Sequence, residues 1–196
     1  MMRVIRLTAA AVLAGAVLAA GAPATAAELE RPTYAVVKSV EQFEIRDYDR
    51  MVIAQFSMRG SYRKAVSQGY LRLERYFTGE NSVPEPIAWT VPVMVRDDLA
   101  SGWTTIFYMP ANYLPESAPI PNDQRIRLIE MPPRQVAAII FPGKLNERVM
   151  RAKVAELKAW LVSQGFEHKS DFTMASYEVP WKPGRWRKNE IIVTLR

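Results

Sequence analysis

Met51-Val52-Ile53-Ala54-Gln55-Phe56, leading to Gly60, and Gln135-Val136-Ala137-Ala138-Ile139-Ile140-Phe141, leading to Gly143, decide how this 196-residue chain folds. Both are strand-like runs closed by a glycine. Each is followed by a helical stretch, Ser61 to Phe77 in one case and Asn146 to Gln164 in the other, and then by a second glycine, Gly79 or Gly165. Working outward, each run is preceded by another candidate strand, Phe43 to Tyr48 or Ile126 to Met131. Each helix is followed by two more: Ala88 to Val95 and Trp103 to Met109, then Phe172 to Tyr177 and Glu190 to Leu195. The order strand, strand, helix, strand, strand is therefore given twice, at an offset of about 84 residues.

Two helices cannot cover both faces of an eight-stranded sheet. The economical arrangement is an α+β domain, a distorted eight-stranded β-barrel flanked by two helices, with an internal pseudo-two-fold duplication whose halves run over about 34–109 and 123–196. Ten of the thirteen prolines beyond residue 27 fall between Pro84 and Pro142, so Pro110 to Pro121 is expected to be an irregular crossover between the halves. In the second helix Met150, Val154, Leu157, Trp160 and Leu161 share a face, Asn146 is the expected N-cap and Gly165 the residue just past the end. In the first, Tyr62, Val66, Leu73, Tyr76 and Phe77 can face the sheet while Tyr70 and Leu71 fall toward the flank. Gly69 interrupts this helix at a cost of about 1 kcal/mol relative to Ala, which implies that a strand or a ligand packs closely against it.

Composition removes whole classes of chemistry. At 49% apolar and 23% charged, with five Trp, eight Tyr and seven Phe, the chain has enough apolar material for a core. There is no cysteine, which excludes disulfides, iron–sulfur clusters, thiolate zinc sites and covalent c-type haem. A single histidine, His168, excludes HExxH sites and bis-histidine ligation; it is expected to be a solvated residue past the second helix, with metal ligation the alternative. No phosphate-binding glycine loop, nucleophile elbow or EF-hand sequence is present, and Asp97-Asp98 reads as a hairpin turn.

Residues 1–26 read as a cleaved secretory leader. Arg3 and Arg6 precede an apolar run from Leu7 to Ala20, and Ala24-Thr25-Ala26 supplies small residues for processing; the run is shorter than the roughly 20 residues a bilayer span needs. The leader takes two of the 26 basic residues, leaving a net charge of +4, so the protein is expected to be periplasmic or secreted, with neither nucleic acid nor membrane as a partner. Near the C-terminus, Trp181, Lys182, Pro183, Gly184, Arg185, Trp186, Arg187 and Lys188 interleave aromatic and basic groups that could stack on a flat ligand and pair with its carboxylates.

Five motifs stand in order between Tyr34 and Leu195: Phe43-Glu44-Ile45-Arg46-Asp47-Tyr48, Tyr76-Phe77-Thr78-Gly79-Glu80-Asn81, Thr90-Val91-Pro92-Val93 after Trp89, Phe107-Tyr108-Met109-Pro110 with Tyr113, Pro119 and Pro121, and Arg187-Lys188-Asn189-Glu190. They resemble, in turn, the "YEIRxY", "YxxGxN", "MTxPV" (with Trp89 in place of Met), "FxMPxxYxxxxxPxP" and "RRNE" of the SOUL or haem-binding-protein family. The resemblance implies a single SOUL-type domain over 27–196 that binds haem or another tetrapyrrole non-covalently, as a monomer and without an enzymatic step, in a groove beside the first helix. The residues it implies are Ser67, Tyr70, Leu71 and Arg75 on that helix, with Lys182 and Arg185 reaching the propionates; Tyr70 and His168 are the candidate iron ligands. Two other expectations compete: a barrel module that binds another small amphipathic ligand or a protein partner, and an enzyme acting on tetrapyrroles with Glu74 as its acid.

Overall fold

The structure, a computed structural model, describes residues 29–98, 102–169, 171–178 and 183–196; the expected leader and Lys182 lie outside the described residues. In chain order the elements are β1 (Tyr34–Val40), β2 (Phe43–Tyr48), β3 (Met51–Met58), α1 (Tyr62–Phe77), β4 (Val93–Asp97), β5 (Trp103–Tyr108), β6 (Ile126–Met131), β7 (Arg134–Pro142), α2 (Glu147–Ser163), β8 (Thr173–Ser176) and β9 (Lys188–Thr194). A short 3-10 turn, Gly184–Trp186, precedes β9.

All nine strands form one antiparallel sheet in the order β1-β2-β7-β9-β8-β4-β5-β3-β6. Exchanging each strand from β2 to β5 with its counterpart from β6 to β9 turns the eight-strand order β2-β7-β9-β8-β4-β5-β3-β6 into its own reverse. The duplication is therefore built into the pairing, with the pseudo-two-fold between β4 and β8, where Met94 lies opposite Ala175. The sheet curls into a half-barrel that stays open, because β1 and β6 end it without pairing.

Two expectations are corrected. The sheet has nine strands rather than eight: β1 adds to β2 outside the duplicated unit. Ala88 to Val95 is a strand only from Val93, since Pro92 cannot donate to a ladder and the Thr90 hydroxyl is turned onto the Tyr108 carbonyl at 2.7 Å.

Strand alternation divides the side chains cleanly. Phe43, Ile45, Ala137, Ile139, Phe141, Met174, Ile191 and Val193 pack beneath α2, and Val52, Ala54, Phe56 and Phe107 pack beneath α1. Both helices thus lie on one face, α1 over β3 and β5 and α2 over β7 and β9. The other face forms the lumen of the half-barrel, lined by Tyr48, Ile53, Met94, Ile106, Tyr108, Val136, Ala138 and Ile192. At Gly69 the question of strand or ligand is resolved: an added Cβ would lie 2.6 Å from Thr105 Cβ and closer still to its hydroxyl. The glycine lets α1 sit directly on β5. As expected, Asn146 caps α2 by accepting from the Val149 N–H at 3.0 Å, and Gly165 follows with φ +73°.

The crossover is tied to α1 rather than left loose. The Tyr76 hydroxyl donates to the Pro119 carbonyl at 2.7 Å, and the Asn81 amide donates to the carbonyls of Tyr76 and Glu85. Arg72 of α1 donates to Asp123 at 2.7 Å, and Arg125 forks onto the same carboxylate at 2.9 Å. Both guanidiniums also lie over the Phe56 ring. The Arg125 and Arg72 bonds hold the Asp123 carboxyl down at about 2, against 3.8 ordinarily. A carboxylate held down in the folded state stabilises the fold above the unfolded pKa, and that contribution disappears as pH falls from about 4 toward 2. Asp123→Asn should therefore reduce stability at neutral pH and flatten its acid dependence in that window, measured by urea unfolding at stepped pH.

Candidate functional site

The exposed flank of α1 is aromatic. Tyr70 meets Phe107 edge-on with ring centroids 5.5 Å apart, and Trp89, from the segment before β4, lies 6.0 Å from the same ring and 5.7 Å from Phe77. Phe107 is buried while Tyr70, Leu71 and Trp89 remain at least one-third exposed. Such a cluster is what the alternation of β5 dictates, since Phe107 points at the helix and α1 is too narrow to cover it alone. Ser67, Leu71 and Arg75 follow at four-residue spacing on α1, all exposed, with Tyr70 beside them. Arg75 faces Glu80 at 3.9 Å, both well solvated, a pairing too weak to commit its guanidinium. Burial, and then the Glu74 carboxylate, push the Tyr70 phenol above its ordinary pKa.

The other expected residues lie elsewhere. Arg185 is carried by the 3-10 turn that packs on β7, where it lies over the Trp186 ring; it shares no hydrogen bond, ion pair or ring contact with α1. His168 pairs with Leu195 by a β-bridge and sets its ring 4.9 Å from Phe172, half-buried beyond α2. No group of three His, Asp or Glu able to hold a metal ion occurs among the described residues.

Sequence reading missed a polar cluster inside the half-barrel. Arg46 is fully buried and forks onto fully buried Glu190, Nη1 to Oε2 at 2.8 Å and Nη2 to Oε1 at 3.0 Å. Its Nε donates to Glu44 at 2.7 Å, and its guanidinium lies 4.4 Å from the centre of the Tyr34 ring. Glu190 also accepts from the Tyr177 hydroxyl at 2.9 Å and meets Lys188 at 3.2 Å. β2 and β9 are not neighbours, because β7 lies between them, and buried Ala138 is small enough for the two side chains to meet above it. Burial works against both charges, but their mutual hydrogen bonds prevail: the Arg46 pKa is raised and that of Glu190 lowered. The same burial, with Glu190 beside it, pushes the Tyr177 phenol far up.

Residues 29–194 match the family described as SOUL heme-binding protein. The chain belongs to the SOUL heme-binding protein family. A search of curated proteins returns no match to it. Among solved structures, the SOUL chain is similar to a hydrolase from Listeria innocua, at 16% identity and TM-score 0.53, covering 82% of this chain and 94% of that one. It is also similar to the EcmrR C-terminal domain, at 12% identity and TM-score 0.57, covering 79% and 97%. In the EcmrR–DNA complex the corresponding figures are 11%, 0.61, 79% and 57%. At these identities the likeness shows a shared fold.

The α1 flank of this SOUL chain fits a tetrapyrrole in chemistry. Tyr70, Leu71 and Trp89 offer an apolar surface for a macrocycle, and Arg75 supplies a cation for a propionate. Tyr70, the expected iron ligand on this flank, holds a neutral phenol favoured by burial, so ligation would require iron to displace its proton.

Proposed function

We propose that this SOUL chain is an exported, non-enzymatic binder of haem or a related tetrapyrrole, buffering or carrying it on the flank of α1. The observation that carries this reading is the exposed surface formed by Tyr70, Leu71 and Trp89 around buried Phe107, in a chain matched to a heme-binding family almost throughout. Affinity comes chiefly from burying the ring, Arg75 orients it, and Tyr70 contributes ring contact. Glu74, one turn from Tyr70 on α1, is half-buried. Export rests on the leader-like residues 1–26; among the described residues, no helix is long and apolar enough to cross a membrane.

Titration with hemin and with protoporphyrin IX tests the reading. Saturable binding at micromolar ligand is expected for both, because the ring rather than the metal supplies the affinity. Leu71→Asp should weaken binding by about tenfold or more by setting a charge against the macrocycle, while Tyr70→Phe should leave affinity nearly unchanged. No saturable Soret shift or fluorescence quenching would overturn it. Export is tested by fractionating a host that expresses the full chain and sequencing the mature N-terminus.

A further inference from the structure

A small cavity of about 80 Å³ lies on the lumen side of the half-barrel, across the sheet from α1. Its walls include Ile53, Met94, Ile106 and Met131, and its polar groups include Tyr108 and Arg134. Water-sized space in a protein begins at roughly 10–15 Å³ and drug-sized pockets at about 300 Å³, so this cavity suits a molecule of roughly five to eight heavy atoms and is far too small for a macrocycle.

Arg134 stands out among the arginines on this face. Arg46 is held by Glu44 and Glu190, and Arg96 by Asp98 at 2.5 Å. Arg134, in contrast, has no carboxylate within ion-pair distance among the described residues, where its contacts are the Pro132 carbonyl at 3.4 Å, the Met51 sulfur at 3.8 Å and the face of the Tyr48 ring at 5.6 Å from its centre. Arg134 is half-buried, and that burial lowers its pKa. Tyr108 is 3% exposed, and no hydrogen bond ties its hydroxyl to another described residue. Among the described residues, a guanidinium without a carboxylate partner and a phenol without a hydrogen bond therefore border one cavity. Asp171, exposed at the rim, is the cavity's only carboxylate among the described residues.

We propose that this lumen is a second ligand site, taking a small organic carboxylate with a short apolar tail. The carboxylate pairs with Arg134 and accepts from the Tyr108 hydroxyl, and the tail lies against Met94, Ile106 and Met131. The site is independent of tetrapyrrole binding, which uses the opposite face of the sheet.

Methionine methyl NMR on the mature protein tests it, with sodium hexanoate as the probe and hexanamide as its uncharged match. Hexanoate should produce saturable shifts at Met94 and Met131 but not at Met150 and Met174, which lie on the helix face. Hexanamide should bind about tenfold more weakly or worse, because it offers no charge to the guanidinium. Arg134→Gln should abolish the preference for hexanoate while leaving the Met150 and Met174 signals in place. Should that variant fail to fold, Tyr108→Phe serves instead, with a smaller loss of hexanoate affinity. Equal affinity for acid and amide, absence of saturation up to tens of millimolar, or shifts that spare Met94 and Met131 would each overturn the proposal.

Discussion

Arg46→Met is expected to destabilise the protein by about 3–5 kcal/mol at neutral pH, more than any other single change considered for this chain. The cost is not the worth of the ion pair itself. Two buried charges that satisfy one another often contribute little beyond an apolar pair of the same shape, because each gave up its hydration. Removing the guanidinium leaves Glu190 fully buried, with the Tyr177 hydroxyl and Lys188 as its remaining polar neighbours among the described residues. The pH dependence should also change sign. In the native protein the Glu190 pKa is lowered, so its contribution is present above the unfolded carboxylate pKa and lost on acidification. In Arg46→Met burial, already the largest influence on Glu190, is opposed among the described residues by Lys188 and the Tyr177 hydroxyl alone and should raise that pKa, so the variant should gain stability as pH falls from neutral toward 5. Urea unfolding across that range measures both effects. Arg46→Met combined with Glu190→Leu should recover most of the loss, since the pair is then apolar throughout. A variant whose stability falls in parallel with the native protein on acidification would show that Glu190 is not isolated as described.

The same cluster marks where sequence reading stops. Phe43 to Tyr48 and Arg187 to Glu190 were legible as family motifs, but a motif does not say that Arg46 and Glu190, 144 positions apart, meet over Ala138 on a strand between theirs. That juxtaposition is a property of strand order, which alternation alone does not encode. The duplication was legible because its apolar runs are long and each ends on glycine. β1 was not, because all but its first residue are exposed and its valines therefore mark no buried face. On α1 the positions Ser67, Tyr70, Leu71 and Arg75 were named through the family resemblance, and all four are exposed on the helix. Trp89 was noted only as a departure from a motif, and its place beside Phe107 depends on an irregular segment with no period to read. Arg185 was joined to the α1 flank through the same resemblance, and the turn that carries it packs on β7.

Gly69→Ala should lower stability by about 2 kcal/mol, although the same exchange at an open helical position would raise it by about 1 kcal/mol. The reversal follows from where the new methyl must go. Its neighbours are the hydroxyl and Cβ of Thr105, and Cβ is fixed to the β5 backbone, so the strain cannot be relieved by turning a side chain away. Thr105 is 1% exposed in the middle of a paired strand, between β4 and β3. The helix must therefore lift, at an overpacking cost of up to about 3 kcal/mol against which the gain in helix propensity counts for about 1 kcal/mol. Lifting α1 also disturbs the Tyr70–Phe107 contact, so tetrapyrrole affinity should fall along with stability, whereas hexanoate binding in the lumen should be affected less. Thr105→Ala on the Gly69→Ala background removes the hydroxyl but leaves Cβ, so it should recover only part of the loss. A double-mutant cycle should then give a favourable coupling between the two sites. Additive effects in that cycle would place the clash elsewhere, and with it the reason why a glycine stands in the middle of α1.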